Sequence, residues 1–236
     1  MKRFWDQATL IEEEGGFAVR LDGRPVRLPH GGTLRVAARP LAEALTEEWQ
    51  VAAGGTKGGE LAWAALPLTR LVGTAEDRIA PDPEPTVEAI ARYAETDLLC
   101  YRSEDTALAA QQARAWNPVL DWARQDLGAD MVVTEGIMPV RQRPEALAAL
   151  RDAVAARPPL ELAGLGVLVP ALGSLLLALA VLCGRLTAAE AHGLALVDET
   201  FQEEAWGRDE EAMARRATVA ADIAQAERLI RLARAA

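Results

Sequence analysis

Between residues 17 and 36 the apolar positions recur every second residue: Phe17, Val19 and Leu21, then Val26 and Leu28, then Leu34 and Val36. Turn-forming runs separate them, Asp22-Gly23-Arg24-Pro25 and Pro29-His30-Gly31-Gly32. A period of two broken by turn chemistry predicts successive antiparallel strands, with one face buried and Arg20, Arg27 and Arg35 turned to water. A sheet this small needs a helix across its apolar face. The next segment offers one, because Pro40 suits a first helical turn and Leu41, Leu45 and Trp49 share a stripe. The Gly-rich residues 54–59 are a flexible break. A second helix follows from about 66 to 80, and Pro81, Pro83 and Pro85 end it.

Beyond residue 80 the period changes to that of helices. Residues 86–97 and 105–115 read as helices, with an extended piece at 98–101 between them. Asn117-Pro118 reads as an N-cap and first-turn proline, so a separate helix is expected from there to Gly128. Residues 131–134 are a short strand candidate, and 143–156 form a helix bounded by prolines. The run Leu162–Cys183 carries no charge over 22 residues, long enough to span a bilayer core. Gly164, Gly166, Pro170 and Gly173 punctuate its first half, so the expected form is a loop up to 169 and an enclosed, soluble helix from Pro170. Thr187 and Glu190 make a capping box for a helix that runs to Gly207, and Asp209 caps the last one. The prediction is an α+β chain: a small β-containing N-terminal domain over residues 1–80, followed by a mainly α-helical C-terminal domain over 81–236.

Net charge is -10, which disfavours nucleic acid as the main partner. The only cysteines are Cys100 and Cys183, one of them inside the apolar run, so a reducing compartment fits better than a disulfide framework. The first residues, MKRFWDQATLIEEEGG, lack a secretory apolar core and turn acidic too soon for an Arg-rich transit peptide. These features predict a cytoplasmic protein with no membrane insertion.

Candidate chemistry is sparse. His30 and His192 have no cysteine or second histidine at metal-ligand spacing. No phosphate loop is present, and Ser174 lies in Leu-Gly-Ser-Leu rather than a nucleophile elbow. No catalytic residue, metal or cofactor is therefore expected. The main anomaly lies on the helix expected over 190–205. There Leu194, Val197, Phe201 and Ala205 form an apolar stripe, yet Asp198 and Gln202 point into the same sector, with Glu199 on its margin. Polar groups on a core-facing stripe need partners, each at a cost of about 1–3 kcal/mol if left unmade. They form either a satisfied network, with Tyr101 or Arg102, or a groove completed by a partner. Residues 198–211 carry seven acids and one base, Arg208, a local charge of -6 that suits a basic partner surface. Tryptophan is enriched at binding hot spots. Trp49, Trp116 and Trp122 read first as core, Trp49 is also kept as a contact candidate, and Trp5 and Trp63 are the least obviously buried.

Several segments, in order, carry a resemblance. They are Lys2-Arg3-Phe4-Trp5, Leu21-Asp22-Gly23-Arg24-Pro25-Val26, Glu47-Glu48-Trp49, Pro67-Leu68-Thr69-Arg70-Leu71 and Thr74-Ala75. Then come Tyr93, the run from Thr96 to Arg102, Gln112, Trp116-Asn117-Pro118 with Asp121-Trp122, Gly173-Ser174-Leu175, Asp198-Glu199, Phe201-Gln202 and Trp206-Gly207. The set resembles, nearly end to end, the ATP synthase assembly chaperones dedicated to the alpha subunit of the F(1) catalytic head. Glu76 stands where that family usually has an apolar residue, Asn117 replaces a usual Asp, and residues 54–65 match poorly. The resemblance implies a bacterial relative of the mitochondrial factor, monomeric when free. It implies a binding protein, not an enzyme, that holds the unassembled alpha subunit and masks its subunit interface until the beta subunit takes over. The client contact is then expected at Asp198, Glu199 and Gln202, supported by Tyr101 and Arg102. The alternative is a small-molecule or metal-binding enzyme using the acidic run.

Overall fold

A computed structural model describes residues 2–207 and 209–235. The chain divides into two compact units. The first takes everything described up to Pro83, with Pro159–Gly164 and everything described from Arg228; the second takes Glu84–Pro158 and Leu165–Glu227.

In the first unit, strands β1 (Ala8–Glu13), β2 (Gly16–Leu21), β3 (Arg24–Pro25) and β4 (Arg35–Val36) make one antiparallel sheet. β2 is its centre, with β1 along one side and β3 and β4 at opposite ends of the other. The alternation is largely realised: Val19, Leu21, Val26, Leu28, Leu34 and Val36 are buried, whereas Phe17 is half-buried and, on the face expected to be wet, Ala18 is fully enclosed and Arg20 half-buried. β1 carries no such alternation, because Leu10 and Ile11 are adjacent and Glu12 and Glu13 follow. It is an edge strand, and charge on an edge blocks pairing with other chains. Helix α1 (Arg39–Val51) starts with its proline in the first turn and buries Leu41, Ala42, Ala44, Leu45 and Trp49. Helix α2 (Pro67–Thr74) continues through a π-helical turn, Ala75–Ile79.

Two distant side chains fasten this unit. Arg3 is buried and donates to the carbonyls of Trp5 (3.0 Å), Gln50 (2.5 Å), Ala52 (3.0 Å) and Asp6 (3.0 Å). Two of these lie at the end of α1, where helix carbonyls lack partners and a cation is favourable. Glu48 accepts from the Leu68 N–H (2.7 Å), the Thr69 N–H (2.9 Å) and the Thr69 hydroxyl (2.6 Å). It thus caps α2, whose own N-cap, Leu66, offers no side-chain acceptor.

In the second unit, helix α3 (Glu84–Ala91) precedes strand β5 (Tyr101–Arg102), which pairs in parallel with β6 (Thr134–Glu135). Helix α4 (Thr106–Asp126) is one helix of 21 residues capped by Asp105, not two. Pro118 sits inside it and Asn117 is no N-cap. One lost backbone bond did not break the helix, because Trp116, Val119, Trp122 and Ala123 bury its face on both sides of the proline. Helix α5 (Pro144–Ala155) is as expected.

The uncharged run departs from its prediction. Helix α6 (Pro159–Leu172) covers the expected loop and contains Pro170, and the break falls at Gly173, which is left-handed at φ 62°. Ser174 caps α7 (Leu175–Leu182), and all eight residues of α7 are buried. Burial of an all-apolar surface outweighed the helix-breaking cost of two glycines and a proline. Among the described residues no helix is long and apolar enough to cross a membrane. Asp97 is fully buried against this corner. It accepts from the Ser174 hydroxyl (2.7 Å), the Leu176 N–H (3.1 Å) and the Leu99 N–H (3.0 Å). Burial pushes its carboxyl up to about 6, against the downward pull of those donors.

Helix α8 (Ala188–Ala195) opens with the Thr187–Glu190 capping box. Helix α9 (Val197–Trp206) follows, then α10 (Glu210–Arg234), with Asp209 accepting from the Ala212 N–H at 2.7 Å.

Candidate partner surface

The expected helix over 190–205 is two helices, broken at Leu196. The Trp116 indole N–H donates to the Leu194 carbonyl at 2.9 Å. A continuous helix would offer that carbonyl to the amide four residues on. The break rotates α9, so the stripe read at one uniform period dissolves. Val197 remains buried, Phe201 is half-buried and Ala205 is exposed.

Asp198 and Gln202 separate for the same reason. Asp198 is half-buried and accepts from the Gln112 amide at 2.7 Å, while the other end of that amide accepts from the Ser103 N–H at 2.8 Å. Gln112 is itself buried, so one side chain ties β5, α4 and α9 together. Gln202 is exposed and does not share the network, contrary to the expected core-facing pair. Arg102 donates to the carbonyls of Leu99 (2.8 Å) and Tyr101 (2.7 Å) and to Asn117 Oδ1 (2.9 Å), and its guanidinium lies 5.2 Å from the Trp116 ring centre. Burial pulls its guanidinium below the usual arginine value, and the Asp198 carboxylate acts in the opposite sense. Arg102 is therefore spent on the 99–101 backbone and on α4, and Tyr101 is half-buried on β5.

What α9 turns outward is Glu199, Gln202 and Trp206, all exposed. Their spacing of three and then four residues puts them on one helical face. Trp206 is 82% exposed. Beside them a groove of about 480 Å³ is lined by Asp198, Glu199, His192, Arg215 and Arg216. Burial, then the Arg216 charge, hold His192 below its ordinary value, against the upward pull of Glu199. Glu203 pairs with Arg216 at 2.5 Å and fixes α9 on α10.

The acidic run does not act as one cluster. Asp198 serves Gln112, Glu203 serves Arg216 and Asp209 caps α10. Arg208 lies outside the described residues. Among the described residues no group of three or more His, Cys, Asp or Glu side chains could hold a metal ion.

Trp49 leaves the candidate surface. It is 3% exposed, its N–H donates to Thr69 Oγ1 at 2.9 Å, and its carbonyl accepts the Trp5 indole N–H at 3.2 Å. Trp5, read as one of the least buried, is fully enclosed, whereas Trp63 is exposed. Gln112 and Trp206 are the residues of this candidate surface that the sequence reading did not select. Both stood in the segments that carried the resemblance, and only a partner 86 positions away reveals the first.

Residues 2–124 match the family model described as ATP12 chaperone protein. The chain belongs to the ATP12 chaperone family. Atp12 from Paracoccus denitrificans is 42% identical over 99% of this chain and 98% of its own, with a TM-score of 0.91. A mutant of the Paracoccus denitrificans protein gives 41% identity over 99% and 98%, with a TM-score of 0.92. The mitochondrial protein atp12 of Schizosaccharomyces pombe is 24% identical over 89% of this chain and 75% of its own length. The ATP12 family is the one that the ordered segments pointed to, and its solved members share the α+β fold.

Proposed function

We propose that the protein takes the unassembled alpha subunit of the F(1) head as its client and covers the surface that later meets the beta subunit. As an ATP12 family member it is an ATP synthase assembly chaperone; the client and the masking role are our reading. The observation that carries it is the exposed face Glu199–Gln202–Trp206, an indole and an acid held on a base whose own polar groups are satisfied. A large exposed indole on an ordered helix is the kind of group that anchors interfaces. An orphan subunit exposes a large apolar interface and aggregates, so a transient cover is useful. A cover must also leave. One aromatic anchor within a polar rim gives limited affinity, and exchange for the true partner needs no nucleotide hydrolysis.

Capture of tagged alpha subunit by Glu199→Lys, Gln202→Ala and Trp206→Ala variants tests the reading. Trp206→Ala should weaken capture about tenfold and Glu199→Lys by a similar factor, with melting unchanged. Full capture by all three well-folded variants would remove this surface from consideration. Equal precipitation of orphan alpha subunit with and without the wild-type protein would remove the client itself.

A further inference from the structure

The segment Pro67-Leu68-Thr69-Arg70-Leu71 took part in the resemblance, and packing accounts for Leu68 and Thr69, which are buried. Packing does not account for Arg70. It is exposed, and no carboxylate pairs with it among the described residues. Arg78, on the π-helical turn that follows, is in the same condition.

Both line a groove of about 350 Å³ within the first unit. Its floor is apolar, from Val26 and Leu28 of the sheet, with Gly73 of α2 beside them. Gly73 lies close over Leu28, where a Cβ would stand 3.4 Å from Leu28 Cδ2, an ordinary contact distance. One wall is Trp63, 54% exposed, and Arg27 completes the rim, its Nη1 donating to the Gly31 carbonyl at 3.0 Å. The acid in the lining, Asp77, is already engaged. Its side chain is 10% exposed and meets His30 through Nδ1 at 3.2 Å and the backbone N–H at 3.1 Å. Three guanidiniums thus face the groove against one occupied carboxylate, in a chain whose net charge is -10. The local sign is reversed relative to the molecule.

We propose that this groove docks an extended acidic segment of a partner protein, with one apolar side chain against Trp63 and flanking carboxylates on Arg27, Arg70 and Arg78. Guanidinium forks match carboxylates in pairs, and the apolar floor with its indole gives the segment an anchor that a bare anion could not use. The proposal is separate from the alpha-subunit reading, because every residue of it belongs to the first unit.

The test titrates the full chain with a fluorescent, capped peptide of about 12 residues in which a central Leu-Phe pair is flanked by glutamates. Anisotropy should show saturable binding about tenfold tighter than for the same peptide with lysines in place of glutamates. The R70E/R78E variant should lose about tenfold and W63A several-fold, both with unchanged melting because the side chains are exposed. Equal binding of the lysine peptide, equal binding of a glutamate-only peptide, or wild-type affinity in both variants would each overturn the proposal. So would complete displacement by inorganic phosphate or ATP at concentrations near those of the peptide, which would assign the arginines to a small anion.

Discussion

Glu47-Glu48-Trp49 in the first unit and Glu203-Glu204-Ala205-Trp206 in the second place the same residue types near the end of a helix. In α1 the indole is 3% exposed and bonded to Thr69, and Glu48 caps a second helix. In α9 the indole is 82% exposed, and Glu203 is held by Arg216. The first group is structural because other segments close over it: the α2 start supplies orphan N–H groups, and the N-terminal segment supplies Trp5 and Arg3. In the second, Arg216 of α10 holds Glu203 and the indole is left largely open among the described residues. A tryptophan next to acids therefore signals neither core nor interface by itself; what converges on it decides.

Substitution at the two indoles breaks or upholds this contrast most directly. Trp49→Ala should cost about 3–5 kcal/mol in urea unfolding, and Trp206→Ala about 0.5 kcal/mol or less. Similar losses at both positions would end the distinction. Arg3→Ala should cost about 3 kcal/mol by chemical denaturation, since it strips four carbonyls of their donors inside the first unit.

Asp97 sharpens the contrast from the buried side of the second unit. Its folded value of about 6 lies above the ordinary 3.8, so the folded state keeps the proton to higher pH than the unfolded chain. That contribution is fully present below about pH 4 and is lost as pH rises through 6, for a total of about 3 kcal/mol. Urea melts of the wild type and of Asp97→Asn between pH 4 and 7 should show their difference shrinking by that order as pH rises. A constant difference would contradict it. Glu48→Gln is the smallest change, about 1–2 kcal/mol, because the amide keeps one acceptor but presents a donor to the N–H groups of α2. Its effect should appear in thermal melts and leave alpha-subunit capture untouched.

Much of the fold was legible in local pattern. The alternation over 17–36, the Pro40 helix start, the Thr187–Glu190 capping box and the Asp209 cap all stand where the residues indicated. Edge strand β1 was missed because an edge needs no alternating face. The errors at Pro118 and Pro170 share one cause: a proline costs a few kcal/mol locally, and burial of a whole helix face repays it. The candidate site was half legible. Asp198 and Gln202 were singled out by their misfit with an apolar stripe and Glu199 by its place on the margin, yet the stripe assumed an unbroken helix, and Trp116 meets the break from another part of the chain.

By itself the order of residues determined the class of elements, most of their caps, and the family, since period, capping and motif order are local or one-dimensional properties. Only the tertiary structure decided which charged and aromatic side chains are spent inside and which remain for a partner. The pairs that make that choice, Arg3 with the end of α1, Glu48 with the start of α2 and Gln112 with Asp198, join positions 20 to 86 residues apart. No local pattern encodes such a meeting, because it exists only once the intervening elements have packed.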